Sequence, residues 1–508
     1  MLRKIIAILL VSTIVFSFCA CSSGTITSKS SDTSQTTQST SKTSEGPITI
    51  EVFEGINVTL PTPDKDPILQ ELQKRLGITL IMNTSLPAND YRNQLNVRIA
   101  GGDIPDVFWI LSRADLLKHS KDGTILNLTP YINKLTDVVK FLGEENMKAG
   151  YIGDQLYAIS KAPNIPYGSY FLRKDWLDNL GLKMPETLDE FIEVAEKFTF
   201  NDPDKNGIQD TIGLSGTSGW GAFAAVFGGY AIGTPGTVYV KDGELVSSLY
   251  EPDMKEVLTI IKNIIDKGVV DPELFTVSNA EIQREKCFQG KIGITYDQWP
   301  PFAKAEDAIK QVNPEANWVQ IACPKGPKGD YDTPHAYFSS GLLSLSADLP
   351  KDEPKLNKVF ELFNYISGRE GNNLVSYGIE GYHYNVENGK IVATDKLASE
   401  GGYFWAYQLT GRPELEYLYT KFVGWEKEIS FAAELPRLRN LAPFVVVPDN
   451  INLADANRFI SEELLKFVYG RRPIDEYDAF LKELDEDFNY KEYLEICKEQ
   501  LKELGFIN

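Results

Sequence analysis

Three adjoining stretches decide the fold: PITIEVF (47–53), DPILQELQKRLG (66–77) and ITLIMNT (78–84). In the first, Ile48, Ile50 and Val52 alternate with their neighbours, the period-two pattern of a half-buried strand. In the second, Asp66 is placed to cap a helix, and Pro67 fills the first turn, where a missing N–H costs nothing. Gly77 ends that helix. The third stretch reads as another strand. DVFWIL (106–111) then forms a continuous apolar run, suited to a strand covered on both faces. Strands alternating with helices predict an α/β architecture.

The pattern continues downstream. TLDEFIEVAEKF (187–198) opens with a capping box, Thr187 to Glu190. DMKEVLTIIKNIIDKG (253–268) puts Met254, Val257, Leu258, Ile261, Ile264 and Ile265 on one helical face and stops at Gly268. At 508 residues the chain exceeds what one hydrophobic core serves, so two or more domains are expected. Its 71 acidic and 51 basic residues give a formal charge of −20, a field that repels phosphate backbones and argues against nucleic acid. No repeat of fixed period is present.

The N-terminal residues predict an address. MLRK is a basic n-region, IIAILLVSTIVF (5–16) is too short for a membrane span, and FCAC (18–21) brings small residues before Cys21. Residues 1–20 read as a lipoprotein signal and Cys21 as the acylated residue, with Phe18 where a Leu is usual. Residues 21–46, nearly all Ser, Thr, Gln and Lys, read as a disordered tether. The expected location is the cell membrane, lipid-anchored on its extracytoplasmic face. Cys287, Cys323 and Cys497 are too scattered for a disulfide framework or a zinc site, and His119, His335 and His383 too dispersed for a metal cluster.

NDPDKNGIQDTIG (201–213) carries oxygen donors in the order D-x-D-x-N-G-x-x-D. Asp202, Asp204, Asn206, the Ile208 carbonyl and Asp210 would converge on one cation, with Gly207 as the turn residue. Such hard donors favour Ca²⁺. Gly213 stands where an EF-hand has its bidentate glutamate, so the loop reads as a weak structural clip, the alternative being an Asx-rich turn with no metal.

GGDIPDVF (101–108), DQLYAIS (154–160), YFLRKDWLDNLGLKMPETLDEF (170–191), DPDKNGIQDTIGL (202–214), YEPDMKEVL (250–258), GVVDPELFT (268–276) and GKIGITYDQWP (290–300) follow in order. Together they resemble the family-1 extracellular solute-binding proteins, carbohydrate-binding lipoproteins of ABC importers. The likeness is greatest to larger members with an embedded calcium loop, such as alginate-oligosaccharide binders. The resemblance implies a two-lobe periplasmic-binding-protein-like fold (type II), hinged where the chain crosses. Its expected lobes are 47–165 plus 299–345, and 166–298 plus 346–508, the second holding the loop 202–213. YAISKAPNIPYGSYF (157–171), GITYDQWPPF (293–302) and GLLSLSADLP (341–350) are the expected crossings. The implied activity is capture of an oligosaccharide between the lobes by a monomer, and delivery to membrane permeases.

Sugars present flat apolar faces edged with hydroxyls, so their sites pair aromatic rings with polar groups. Rings in Gly-rich or crossing segments are the candidates: Trp299 and Trp405 first, then Trp220, with Tyr296, Asp297, Tyr403, Arg412 and Trp109 beside them. Trp176 is assigned to the core. Three other readings compete: a peptide or other non-sugar ligand in the same fold, a surface adhesin or sensor, and a glycoside hydrolase. The last needs two carboxylates across a cleft, such as Asp297 with Glu380.

Overall fold

In the computed structural model, residues 46–84, 87–277, 279–337 and 341–507 are described. The expected signal, Cys21 and all of the tether but its last residue lie outside them.

Two sheets organise the chain from Pro47 on, which forms one compact unit. In the first, Ile48–Phe53 pairs in parallel with Ile78–Asn83 on one side and Val107–Ile110 on the other. Leu342–Leu345 runs antiparallel beside Val107–Ile110, and Ile159–Ser160 closes the far edge. The helix Pro67–Leu76 forms as its sequence predicts. The Asp66 carboxylate accepts from the Ile68 and Leu69 amides at 3.0 Å each, and Gly77 takes the left-handed conformation (φ 62°). Ile50, Val52, Val107, Leu343 and Leu345 bury one face of this sheet under that helix and the helices Glu353–Ser367 and Arg369–Tyr377.

The second sheet runs Trp318–Ile321, Gly168–Arg173, Ile292–Gln298, Ile212–Gly216. Gly168–Arg173 is antiparallel to both of its neighbours, and Ile212–Gly216 is parallel to Ile292–Gln298. The helix Leu188–Phe200 starts at the predicted capping box. The helix Met254–Asp266 buries Met254, Val257, Leu258, Ile261 and Ile264, while Ile265 stays half-buried at the margin of that face. Trp176 is wholly buried.

The strands do not follow the expected lobe boundaries. Residues 299–345 serve both sheets: Trp318–Ile321 pairs with Gly168–Arg173 in the second, and Leu342–Leu345 with Val107–Ile110 in the first. The helices of 353–377 and the turn Gly401–Tyr407 pack on the first sheet's core, although 346–508 was expected in the second lobe. The reason is long-range. The apolar faces of these helices are covered by Ile50, Val107 and Leu343, partners that no local pattern names. The chain passes between the sheets at 161–167, and again within 322–341. The expected crossing 293–302 stays with the second sheet and 341–350 with the first. No described helix is long and apolar enough to cross a membrane.

Candidate functional site

In open α/β sheets, side chains at the carboxyl ends of parallel strands reach the crevice where ligands bind. Here those ends deliver Glu54, just past Ile48–Phe53, and Trp109, within Val107–Ile110. Lys161, first residue of the 161–167 crossing, comes to both. Its Nζ lies 3.4 Å from Glu54 Oε1 and 5.7 Å from the Trp109 ring centroid. Glu54 has no exposed surface, and its Oε2 has no hydrogen-bond partner. Burial pushes the Glu54 carboxyl above its ordinary range, and Lys161 opposes the shift.

Lys161 also lines a cavity of about 390 Å³, a volume within the range of small-molecule sites. Around it stand Asn164, Trp405, Gln408, Arg412, Tyr417 and Lys421. The backbone explains how they meet. The Ala162 amide donates to the Thr410 carbonyl at 2.9 Å, tying the crossing to the turn after Trp405. Gly411 takes φ +84°, and a Cβ there would lie 2.7 Å from the Ala162 nitrogen, so only glycine allows this approach. Arg412 is held in place: Nε donates to Glu414 Oε2 at 2.8 Å, Nη2 to Glu414 Oε1 at 3.1 Å and Nη1 to Gln408 Oε1 at 3.3 Å. Its guanidinium carbon lies 3.4 Å from the Tyr417 ring centroid.

The structure therefore brings Trp405 and Arg412 together with Gln408 at this cavity, leaves Trp109 beside its Lys161, and takes the other candidates out of the lining. Trp405 is 37% exposed and lines the cavity. Trp299 is the correction. It is 0% exposed, edge-on to Tyr167 and Phe422, in a core with Phe171 and Phe302. It begins the helix Trp299–Val312, whose first turn packs inward, so its ring has no free face. Tyr296 is buried as well, its hydroxyl against Asp332 and Arg437. Asp297 is buried and locked by Arg284, with contacts of 2.8 and 3.0 Å, and by the Thr217 hydroxyl at 2.9 Å. That leaves it no free oxygen for acid–base work, and Glu380, its supposed partner, is exposed. The Tyr403 hydroxyl donates to Asp66 at 3.0 Å, a bond that anchors the Gly401–Tyr407 turn. Trp220 is half-buried on Phe227 and Phe275, away from the cavity. Trp109 sits beside Lys161, as described.

Sequence reasoning missed Lys161, Asn164, Tyr417 and Lys421. Lys161 and Asn164 lie in the segment expected to cross, which was the available signal. Nothing local marks Lys421.

The loop at 202–210 is folded on itself. Asp202 accepts from the Asn206 and Gly207 amides at 3.0 Å each, and the Asn206 side-chain amide donates to Asp204 at 2.8 Å and Asp210 at 3.3 Å. Asp210 also pairs with Lys291, whose ammonium holds its carboxyl below the ordinary range. Among the described residues no group of three or more His, Cys, Asp or Glu is arranged to hold a metal. One atom stands out: Asp204 Oδ1 is shut away from solvent without a hydrogen-bond partner, and burial pushes this carboxyl up. Gly213 has a steric reason, since a Cβ there would lie 2.0 Å from the Ala195 carbonyl oxygen. The helix Leu188–Phe200 thus forbids a glutamate at that position.

Two α/β sheets, with a ligand-sized cavity lined by one of the crossings between them, define the two-lobe solute-binding class of protein. The chain matches the family model of the bacterial extracellular solute-binding proteins over residues 59–373, and it belongs to that family. Lipoprotein LipO of Bacillus subtilis is 25% identical over 68% of this chain and 70% of its own length. The polygalacturonan/rhamnogalacturonan-binding protein YtcQ of the same organism is 28% identical over 64% of each. Among solved structures, the alginate-binding protein AlgQ2 without calcium ion superposes with a TM-score of 0.65 at 17% identity, covering 90% of this chain and 99% of that one. An EF-hand mutant of FusA from S. pneumoniae, in complex with fructo-nystose, gives 0.61 at 20% identity, over 90% and 99%.

Proposed function

We propose that this protein captures an oligosaccharide in the cavity beside Trp405 and passes it unaltered to the permeases of an ABC importer. The observation that carries the reading is the pairing of a partly exposed tryptophan, Trp405, with the fixed polar groups Arg412 and Gln408 and with the exposed Asn164, in a cavity beside the 161–167 crossing between the sheets. Closing and opening of two lobes at such crossings is how this architecture holds and releases a ligand. We draw the lobes by sheet: 47–160 with 342–411, and 168–321 with the C-terminal helices. YtcQ binds polygalacturonan and rhamnogalacturonan by its name, and AlgQ2 is named as alginate-binding. Both favour a sugar over a peptide here.

Capture requires no chemistry on the ligand. The hydrolase reading loses its proposed pair, because Asp297 is consumed by Arg284 and Thr217. In this proposal Cys21 carries the lipid anchor, residues 22–46 are the tether, and the protein acts as a monomer at the outer face of the membrane.

The loop 202–210 is proposed as a calcium clip. Its donor set is all oxygen, and the partnerless Asp204 Oδ1 fits a hard cation. Asp202, Asp204, Asn206, the Ile208 carbonyl and Asp210 would hold it. The ion would brace the entry to the strand Ile212–Gly216.

The test is a thermal-shift and calorimetry screen of purified protein against a glycan panel, followed by product analysis over hours. Saturable binding with intact sugar supports the proposal. Cleaved products, or binding to peptides alone, would overturn it.

A further inference from the structure

The lining of the Trp405 cavity is charged against the protein's own field. Three cations, Lys161, Arg412 and Lys421, face it with one carboxylate, Glu414, on a chain of net charge −20. Glu414 is already spent: Arg412 holds both its oxygens, and the Tyr167 hydroxyl donates to Oε1. Lys421 has no carboxylate partner among the described residues. It is exposed, with its Nζ 5.6 Å from the Tyr417 ring centroid and 5.7 Å from that of Phe422. Lys161 leans on Glu54, at a long 3.4 Å, and Glu54 is a buried group whose second oxygen is unpartnered.

We infer that the captured ligand is an acidic oligosaccharide, with sugar carboxylates set against Lys161 and Lys421 while a pyranose face stacks on Trp405. This rests on the sugar-capture reading and deepens it. The chemistry is direct. A neutral sugar would leave the Lys421 ammonium without counter-charge and Lys161 with only its long contact to Glu54, a desolvation cost that closure of the lobes would increase. A uronate ligand supplies that counter-charge, and each ammonium–carboxylate contact is a charge-assisted hydrogen bond.

The experiment is calorimetry of the purified protein with trigalacturonate and trimannuronate, with the methyl ester of each, and with neutral maltotriose and kestose. One acid is expected to bind, its ester about tenfold more weakly, and the acid's affinity to fall as salt rises. Lys421→Gln, on an exposed side chain that the fold does not need, is expected to erase most of the acid–ester difference. Lys161→Gln is expected to do the same, with unchanged melting of Lys421→Gln as the folding control. Equal affinity for acid and ester, or binding only to neutral sugars with Lys421→Gln silent, would sink the inference while leaving sugar capture standing. Silence toward every sugar, acidic and neutral, would take both down.

Discussion

Trp299 and Trp405 look alike in the sequence, each within three residues of a proline or glycine in a segment expected near a cleft, yet they end in opposite environments. Trp299 starts a helix and is enclosed by Tyr167, Phe422 and Phe171, with no exposed surface. Trp405 sits in a short turn pinned by Asp66 through Tyr403 and Tyr407, and keeps 37% of its surface open. A ring becomes a binding surface when its own backbone is held by other groups and nothing else covers it. Trp405 meets that condition because its neighbours in the turn do the anchoring.

The comparison can be broken most sharply at the buried end. Trp299→Ala is expected to lose about 3–5 kcal/mol of stability, the usual cost of emptying a large aromatic site, read as a lower denaturant midpoint. A loss below about 1 kcal/mol would mean that this core is looser than described.

The ion pair of Arg437 with Asp332 is a second measure of that buried half. Both side chains are essentially unexposed and the contact is 2.6 Å. Asp332→Ala strands the guanidinium in the interior and is expected to cost about 3–5 kcal/mol. Unfolding curves that match wild type would show that water reaches Arg437.

At the open end, Trp405→Ala is expected to weaken glycan binding by about 1–3 kcal/mol while the melting temperature barely moves. Trp299→Ala should show the reverse weighting. If Trp405→Ala melts early and binds normally, the two tryptophans have been assigned the wrong way round.

The smallest effect is expected at the acidic loop. Calcium at about five times its Kd should raise stability by about 1 kcal/mol, and Asp204→Ala should abolish that rise without touching sugar affinity. A chelator that changes affinity but not melting would move the loop from scaffold to binding site.

Local patterns foretold a good deal. The cap at Asp66, the left-handed Gly77, the capping box at Thr187 and the apolar face from Met254 to Ile264 are each read within one or two turns, and each is found where it was expected. The acidic loop's side chains also meet because they are neighbours in the chain, and its use as a calcium clip stands as a proposal. The pocket was half legible. Trp405, Gln408 and Arg412 cluster in one segment, but Lys161 joins them through an Ala162–Thr410 hydrogen bond that spans the sequence.

By itself, then, the sequence determined the alternation of strands and helices, the helix ends and the order of motifs. These depend on backbone preferences and on periodicity, both settled by near neighbours. Only the tertiary structure decided which sheet receives Trp318–Ile321 and the helices of 353–377, and which rings are covered. Burial is a property of what packs against a residue from elsewhere in the chain, and an apolar face carries no label for its partner.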